Sequence, residues 1–107
     1  MSVEQVIDYL KTNRKNRVAL YGKGVGCNQL LNELYKNNME DNVQFILDSD
    51  PQRAGTTFRG FCVLYPTKEK LTSVDTIIIT CRQTADIIYN NLSVYGEDIQ
   101  TKLFRLS

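Results

Sequence analysis

The chain has no histidine and no tryptophan, only two prolines, and three cysteines in 107 residues. Without histidine there is no Ser-His or Cys-His nucleophile pair and no imidazole metal ligand. Nor is there a side chain that titrates near neutrality without help from its surroundings. Cys27, Cys62 and Cys81 are widely spaced and form no C-x-x-C pair, so no zinc pattern exists. An odd number of cysteines behind a charged, polar start (MSVEQVIDYLKTNRKN) fits free thiols in a reducing compartment, and a cytoplasmic location is expected. No apolar run approaches the ~20 residues that a membrane span needs. A formal net charge of +1 gives no argument for a nucleic-acid partner or an acidic tail. Internal repeats and low-complexity stretches are absent.

What is present is ordinary for a folded chain: 42% hydrophobic and 23% charged residues, which exclude disordered and fibrous classes. A mass of 12.3 kDa implies about 6,100 Å² of surface when folded against roughly 17,800 Å² unfolded, enough burial for a core without staples. A single domain spanning residues 1–107 is expected.

Helix-like and strand-like segments alternate. Ser2 can cap a helix running to about Lys15, with Val6, Ile7 and Leu10 at helical spacing. Arg17–Tyr21 (RVALY) is a short apolar strand, Gly22–Gly26 (GKGVG) a tight turn, and Asn28–Asn37 an amphipathic helix on Leu30, Leu31, Leu34 and Tyr35. Val43–Leu47 is a strand closed by Asp48-Ser49-Asp50-Pro51, and Gln52–Gly60 reads as a loop. Phe61–Leu64 is a brief strand, and Pro66 starts a short helix, TKEKL. Val74–Thr80 is a β-branched strand, Gln83–Leu92 a helix that Thr84 can cap, and Lys102–Leu106 a last strand. Strands alternating with helices predict a parallel sheet covered on both faces. The expected layout is a three-layer α/β sandwich of five strands in the order 3-2-1-4-5, a Rossmann-like arrangement.

The glycine turn lies directly between a strand and a helix, the context of a phosphate-binding turn. Gly22 permits the sharp turn, Gly24 lets the backbone approach an anion, and Cys27 fills the third small position of G-x-G-x-x-G. Helix-start N–H groups favour phosphate, and Lys23 adds a point charge. The competing reading is that these glycines only solve a steric problem. Asp48 is placed to accept hydrogen bonds from ribose hydroxyls, or merely to begin a D-S-D-P turn; its charge disfavours a 2′-phosphate. Arg82, with Gln83 and Thr84, should face the glycine turn across the crevice and contact an anion, or else be a solvated arginine. Gly22, Gly24 and Gly26 also match a G-x-G-x-G methyltransferase turn, but Leu20 stands where such enzymes carry an acid. Cys27, near a helix start, invites a lowered pKa and a redox pairing with Cys81; two small buried residues is the favoured reading. Lys11, Arg14, Lys15, Arg17 and Lys23 form a basic stretch without interleaved aromatics, read as a solvated helix end.

Three motifs carry a resemblance in their order and spacing: Tyr21-Gly22-Lys23-Gly24, then Asp48-Ser49-Asp50-Pro51 with Gly55, Gly60 and Val63, then Asp75–Thr80. Over residues 17–92 the chain resembles the Rossmann-like nucleotide-sugar-binding domains of bacterial polysaccharide- and sugar-modifying proteins. These are similar to the N-terminal domains of sugar acyltransferases. The resemblance implies a nucleotide site lined by Gly22, Gly24 and Asp48, and a chain that works with a larger enzyme domain; a homodimer is the other partner considered. With Gly26, Cys27, Lys23 and Arg82 added on chemical grounds, the expectation is a non-catalytic module for a nucleotide or nucleotide-sugar, a UDP-sugar or NAD. No nucleic-acid or membrane partner is expected. The alternatives are a ligand-free interaction or dimerisation module, and an NAD- or S-adenosylmethionine-linked enzyme fragment.

Overall fold

Two hydrophobic clusters, one on each face of a sheet, organise the chain. Alternate residues of the same strands feed both. A computed structural model describes residues 1–107. It contains α1 (Val3–Thr12), β1 (Val18–Tyr21), α2 (Val25–Lys36), β2 (Val43–Leu47), β3 (Thr57–Phe58), β4 (Phe61–Leu64), α3 (Lys68–Thr72), β5 (Thr76–Ile79), α4 (Ala85–Leu92), α5 (Glu97–Gln100) and β6 (Leu103–Arg105). The sheet order is β3-β4-β2-β1-β5-β6. All neighbours are parallel except the β3–β4 pair. With β3 set aside, this is the expected five-strand order, in which right-handed crossovers send helices to both faces.

Val18 and Leu20 of β1 and Ile78 of β5 join Leu10 of α1 and Leu30, Leu31 and Leu34 of α2 on one face. Ala19 and Tyr21 of β1 and Ile77 and Ile79 of β5 join Leu71, Ile88, Leu92 and Ile99 on the other. All four residues of β1 and of β5 are buried, which is why these strands read as unbroken apolar runs rather than alternating ones. Each fully buried Leu or Ile contributes about 1.5–3 kcal/mol of transfer free energy. The accessible surface of 6045 Å² agrees with the mass-based expectation, so the core is closed to a normal degree. No helix is long and apolar enough to cross a membrane.

The sequence reading needs several corrections. A sixth strand, β3, pairs antiparallel with β4 through Arg59 and Gly60, both at positive φ (52° and 89°). Two such residues make the hairpin turn whose twist suits the strands, usually signalled by Asn-Gly. Here Arg59 takes the left-handed position and gains its compensation elsewhere. Its guanidinium reaches Asn28 O, Asn28 Oδ1 and Asn32 Oδ1 on α2 and lies over the Tyr35 ring. The first helix stops at Thr12, leaving Arg14 and Lys15 outside it, and Ser2 caps it reciprocally with Gln5. α3 begins at Lys68 with Thr67 as its cap, so Pro66 lies before the helix rather than in its first turn. The short α5 was not anticipated, because four residues after Gly96 show no periodicity.

Arg17, at the head of β1, donates from its backbone N–H and its guanidinium to Asp75, at the head of β5. The Arg17 hydrogen bonds hold the Asp75 carboxyl below its ordinary value of 3.8. A depressed carboxyl stabilises the fold above its unfolded pKa and loses that contribution as pH falls through the folded value. Asp75→Asn should therefore be less stable than the parent at neutral pH, with the difference closing below about pH 4. Both side chains are about half exposed, so the gap should be small and shrink with salt; thermal melts from pH 3 to 7 at two ionic strengths would check this.

Candidate functional site

Strand register places the site. Tyr21 lies beside Leu47 on one side and Ile79 on the other, so the next residues, Gly22, Asp48 and Thr80, leave the sheet at one level. From β1 the chain passes into α2 on one face; from β5 it passes towards α4 on the other. Between these diverging connections a crevice opens beyond the carboxyl ends of the strands, at the topological switch point. A cleft of about 560 Å³ occupies it, lined by the turn from Tyr21 to Gly26, by Asp48, Ser49 and Arg53 after β2, and by Thr80 to Thr84 with Ile88 after β5.

The three glycines of the turn do different work. Gly22 has φ +111°, and a Cβ there would stand 3.1 Å from Cys81 Cβ. Gly26 is a close approach: a Cβ would lie 2.1 Å from the Thr80 carbonyl oxygen. The tight helix–strand contact therefore falls at Gly26, not at Cys27 as the motif alignment suggested. Gly24 has neither constraint. Its φ of −173° is open to any residue, and a Cβ there would meet nothing within 4 Å. The fold does not need glycine at position 24.

Gly24 is also the N-cap of α2 and supplies no side-chain cap, and the first turn carries no acid. The backbone N–H groups of residues 23 to 27 meet no oxygen acceptor in the chain; the first intrahelical bond here is Asn28 N–H to Gly24 O, 3.0 Å. By contrast, α1 and α3 have side-chain caps. Across the cleft α4 is uncapped as well. Thr84 sits at its N-cap, but its hydroxyl is 3.0 Å from Cys81 Sγ rather than on the helix amides, so the expected cap is not made. Two helix starts with free donors thus open on one crevice.

Lys23, Arg53 and Arg82 line the cleft against one carboxylate, Asp48, a balance of +3 and −1. Asp48 is buried and makes the D-S-D-P turn: Oδ1 accepts the Asp50 N–H at 2.9 Å, and Oδ2 lies 3.2 Å from Arg53 Nη1. Arg53 is also 3.7 Å from Asp50. Lys23 and Arg82 form no salt bridge. Lys23 Nζ sits 5.5 Å above the Phe58 ring. Arg82 is not free in solvent: it donates to Gln29 Oε1 on α2 and to the Ser107 carbonyl.

Of the residues singled out from sequence, Gly22, Lys23, Gly24, Gly26, Asp48 and Arg82 come together at the cleft. Cys27 does not; it is buried under α2, and burial pushes its thiol up to about 11 despite the neighbouring Gly24 amide. The lowered pKa considered for it is thus reversed. Cys81 packs against the opposite cluster, and the two thiols are unpaired. Arg53, Tyr21 and Thr80 were missed. Arg53 was visible only as the basic residue five positions after Asp48. Tyr21 passed for core; burial drives its hydroxyl up to about 12, opposed by a hydrogen bond with Ser49.

No protein-family model matches the chain, and no curated protein matches it. Among solved structures it resembles a UDP-D-quinovosamine 4-dehydrogenase from Vibrio fischeri at 19% identity and a TM-score of 0.58, over 87% of this chain and 79% of that one. It also resembles RSP, a Rex-family repressor, at 14% identity and a TM-score of 0.63; 97% of this chain aligns with 58% of that structure. At these identities the likeness shows the fold, which is Rossmann-like.

Proposed function

We propose that the cleft binds a nucleotide or nucleotide-sugar by its phosphates, and that the chain is a binding module rather than a catalyst on its own. One observation carries this reading: five consecutive backbone N–H groups without an oxygen acceptor, residues 23 to 27, line up at an uncapped helix start beside a glycine that the fold does not require. Such an arrangement suits an anion and suits the chain's own side chains poorly. Lys23 and Arg82 add positive charge that no Asp or Glu side chain pairs with. Gly22, Gly24 and Gly26 shape the turn, Arg82 reaches over it, and Asp48 with Arg53 receives sugar hydroxyls at the β2 end. Cys27 contributes packing only.

Around β2 the charges of Asp48, Asp50 and Arg53 sum to −1, which favours an unphosphorylated ribose and NAD over NADP. The likeness to an enzyme named for a UDP-sugar supports UDP-sugars as the first class to try, as does the resemblance to sugar-acyltransferase domains. In the same reading residues 1–107 form one unit that serves a larger sugar-modifying enzyme or a homodimer. Catalysis by the cleft alone is disfavoured because its one carboxylate, Asp48, is engaged with Arg53, and burial holds the Tyr21 hydroxyl well above its ordinary value.

A thermal-shift panel of UDP, UDP-sugars, NAD, NADP, S-adenosylmethionine and coenzyme A tests the proposal. A ligand at 100 times its Kd adds about 2.7 kcal/mol. At about 2.1 cal/mol/K per residue this raises Tm by roughly 12 °C for a chain of this length. UDP-sugars or NAD should shift the melt and NADP should do so less. A flat panel would reject nucleotide binding and leave the ligand-free interaction module.

A further inference from the structure

A turn with three glycines and five amides that meet no oxygen acceptor has little of its own to hold one shape. Its start is fixed by Gly22 N–H to Leu47 O at 2.8 Å. The next anchor comes from β5. Thr80, at the end of that strand and 1% exposed, places Oγ1 2.9 Å from Gly22 O and 3.1 Å from Tyr21 O. Tyr21 O already accepts the Thr80 N–H, whereas no backbone N–H reaches Gly22 O. The single hydroxyl proton is therefore needed at Gly22 O. The same residue's carbonyl packs against Gly26 at the far end of the turn.

The Gly22 carbonyl and the Lys23 N–H belong to one planar trans peptide, so they point in opposite directions. Drawing the carbonyl onto Thr80 turns the Lys23 N–H away from Thr80, where it meets no oxygen acceptor in the chain. Reversing this peptide turns ψ of Gly22 and φ of Lys23 together; glycine tolerates its half of the change, and the reversed peptide would present a carbonyl oxygen to the anion instead. We infer that Thr80 is a positioning residue: its hydroxyl locks the Gly22–Lys23 peptide in the orientation that accepts an anion. The inference deepens the proposed function and rests on the cleft being an anion site.

Thr80→Val keeps the shape and removes the donor; Thr80→Ser keeps the donor and removes the methyl. In the ligand-free chain, the Lys23 and Gly24 amide resonances of Thr80→Val should broaden through microsecond-to-millisecond exchange, while those of Thr80→Ser match the parent. UDP should bind Thr80→Val about tenfold more weakly and Thr80→Ser about as the parent does, the scale of one hydrogen bond. If Thr80→Val does not fold, Thr80→Ala makes the same deletion without the bulk. Unchanged amide resonances in the donor-less variant, or a Thr80→Ser variant that behaves like it, would overturn the lock. Broadening without UDP binding by any variant sinks the nucleotide reading but leaves the lock standing. Parent-like UDP binding by Thr80→Val sinks the lock but leaves the nucleotide reading.

Discussion

Gly26→Ala is expected to lower the melting temperature by roughly 13 °C. The added Cβ would stand 2.1 Å from the Thr80 carbonyl oxygen, a separation at which something must shift. The obstacle is backbone, at the end of a central strand, so no rotamer change relieves it. Either α2 moves off β5 or β5 moves, and both elements carry the core. Overpacking of this kind costs about 3 kcal/mol at the upper end of its usual range. Dividing by about 2.1 cal/mol/K per residue gives the stated shift. A calorimetric melt checks it, and a loss of under about 3 °C would mean that α2 accommodates the methyl, so that helix and strand are not packed as described.

Gly24→Asp, two residues earlier, should do the reverse to the fold and far more to the ligand. Position 24 has extended φ and open space, so aspartate fits without strain. It is also a good N-cap, better than glycine by a few tenths of a kcal/mol, and it would accept hydrogen bonds from the free amides of α2. Tm should stay level or rise slightly. Yet the new carboxylate occupies the amides that a phosphate would use and repels its charge. Losing two charge-assisted hydrogen bonds, at about 1.5–3 kcal/mol each, weakens binding about a hundredfold or more. The measurement pairs a melt with a titration of whichever nucleotide shifts the parent. Undiminished binding by a well-folded Gly24→Asp would place the ligand elsewhere. The contrast between Gly24 and Gly26 separates a glycine kept for the fold from one that the fold does not require.

Much of this was legible in the residues. Buried strands such as VALY and TIII announced themselves as apolar runs because both faces of the sheet are covered. Their alternation with amphipathic helices favoured the parallel order, since right-handed crossovers leave few other layouts. The glycine turn between strand and helix is a local sequence signal, and it lies at the cleft. The hairpin at Arg59-Gly60 was hidden because its left-handed position is held by an arginine whose partners lie some thirty residues earlier on α2. Arg53 was hidden because its pairing with Asp48 depends on how the D-S-D-P turn folds back.

The sequence by itself determined the class of fold and the position of the turn, and favoured the order of the five parallel strands, because these follow from hydrophobic period, chain connectivity and glycine placement, all local or topological. Only the tertiary structure decided what each turn residue does. Gly22, Gly24 and Gly26 look alike in a motif, and they differ because Thr80, brought from 58 residues away by the β1–β5 pairing, touches the first through its hydroxyl and crowds the third with its carbonyl, leaving the middle one open. Cys27 and Asp48 were likewise assigned by burial and by partners distant from the turn. Which atoms meet across a sheet depends on register, and register is a property of the whole fold.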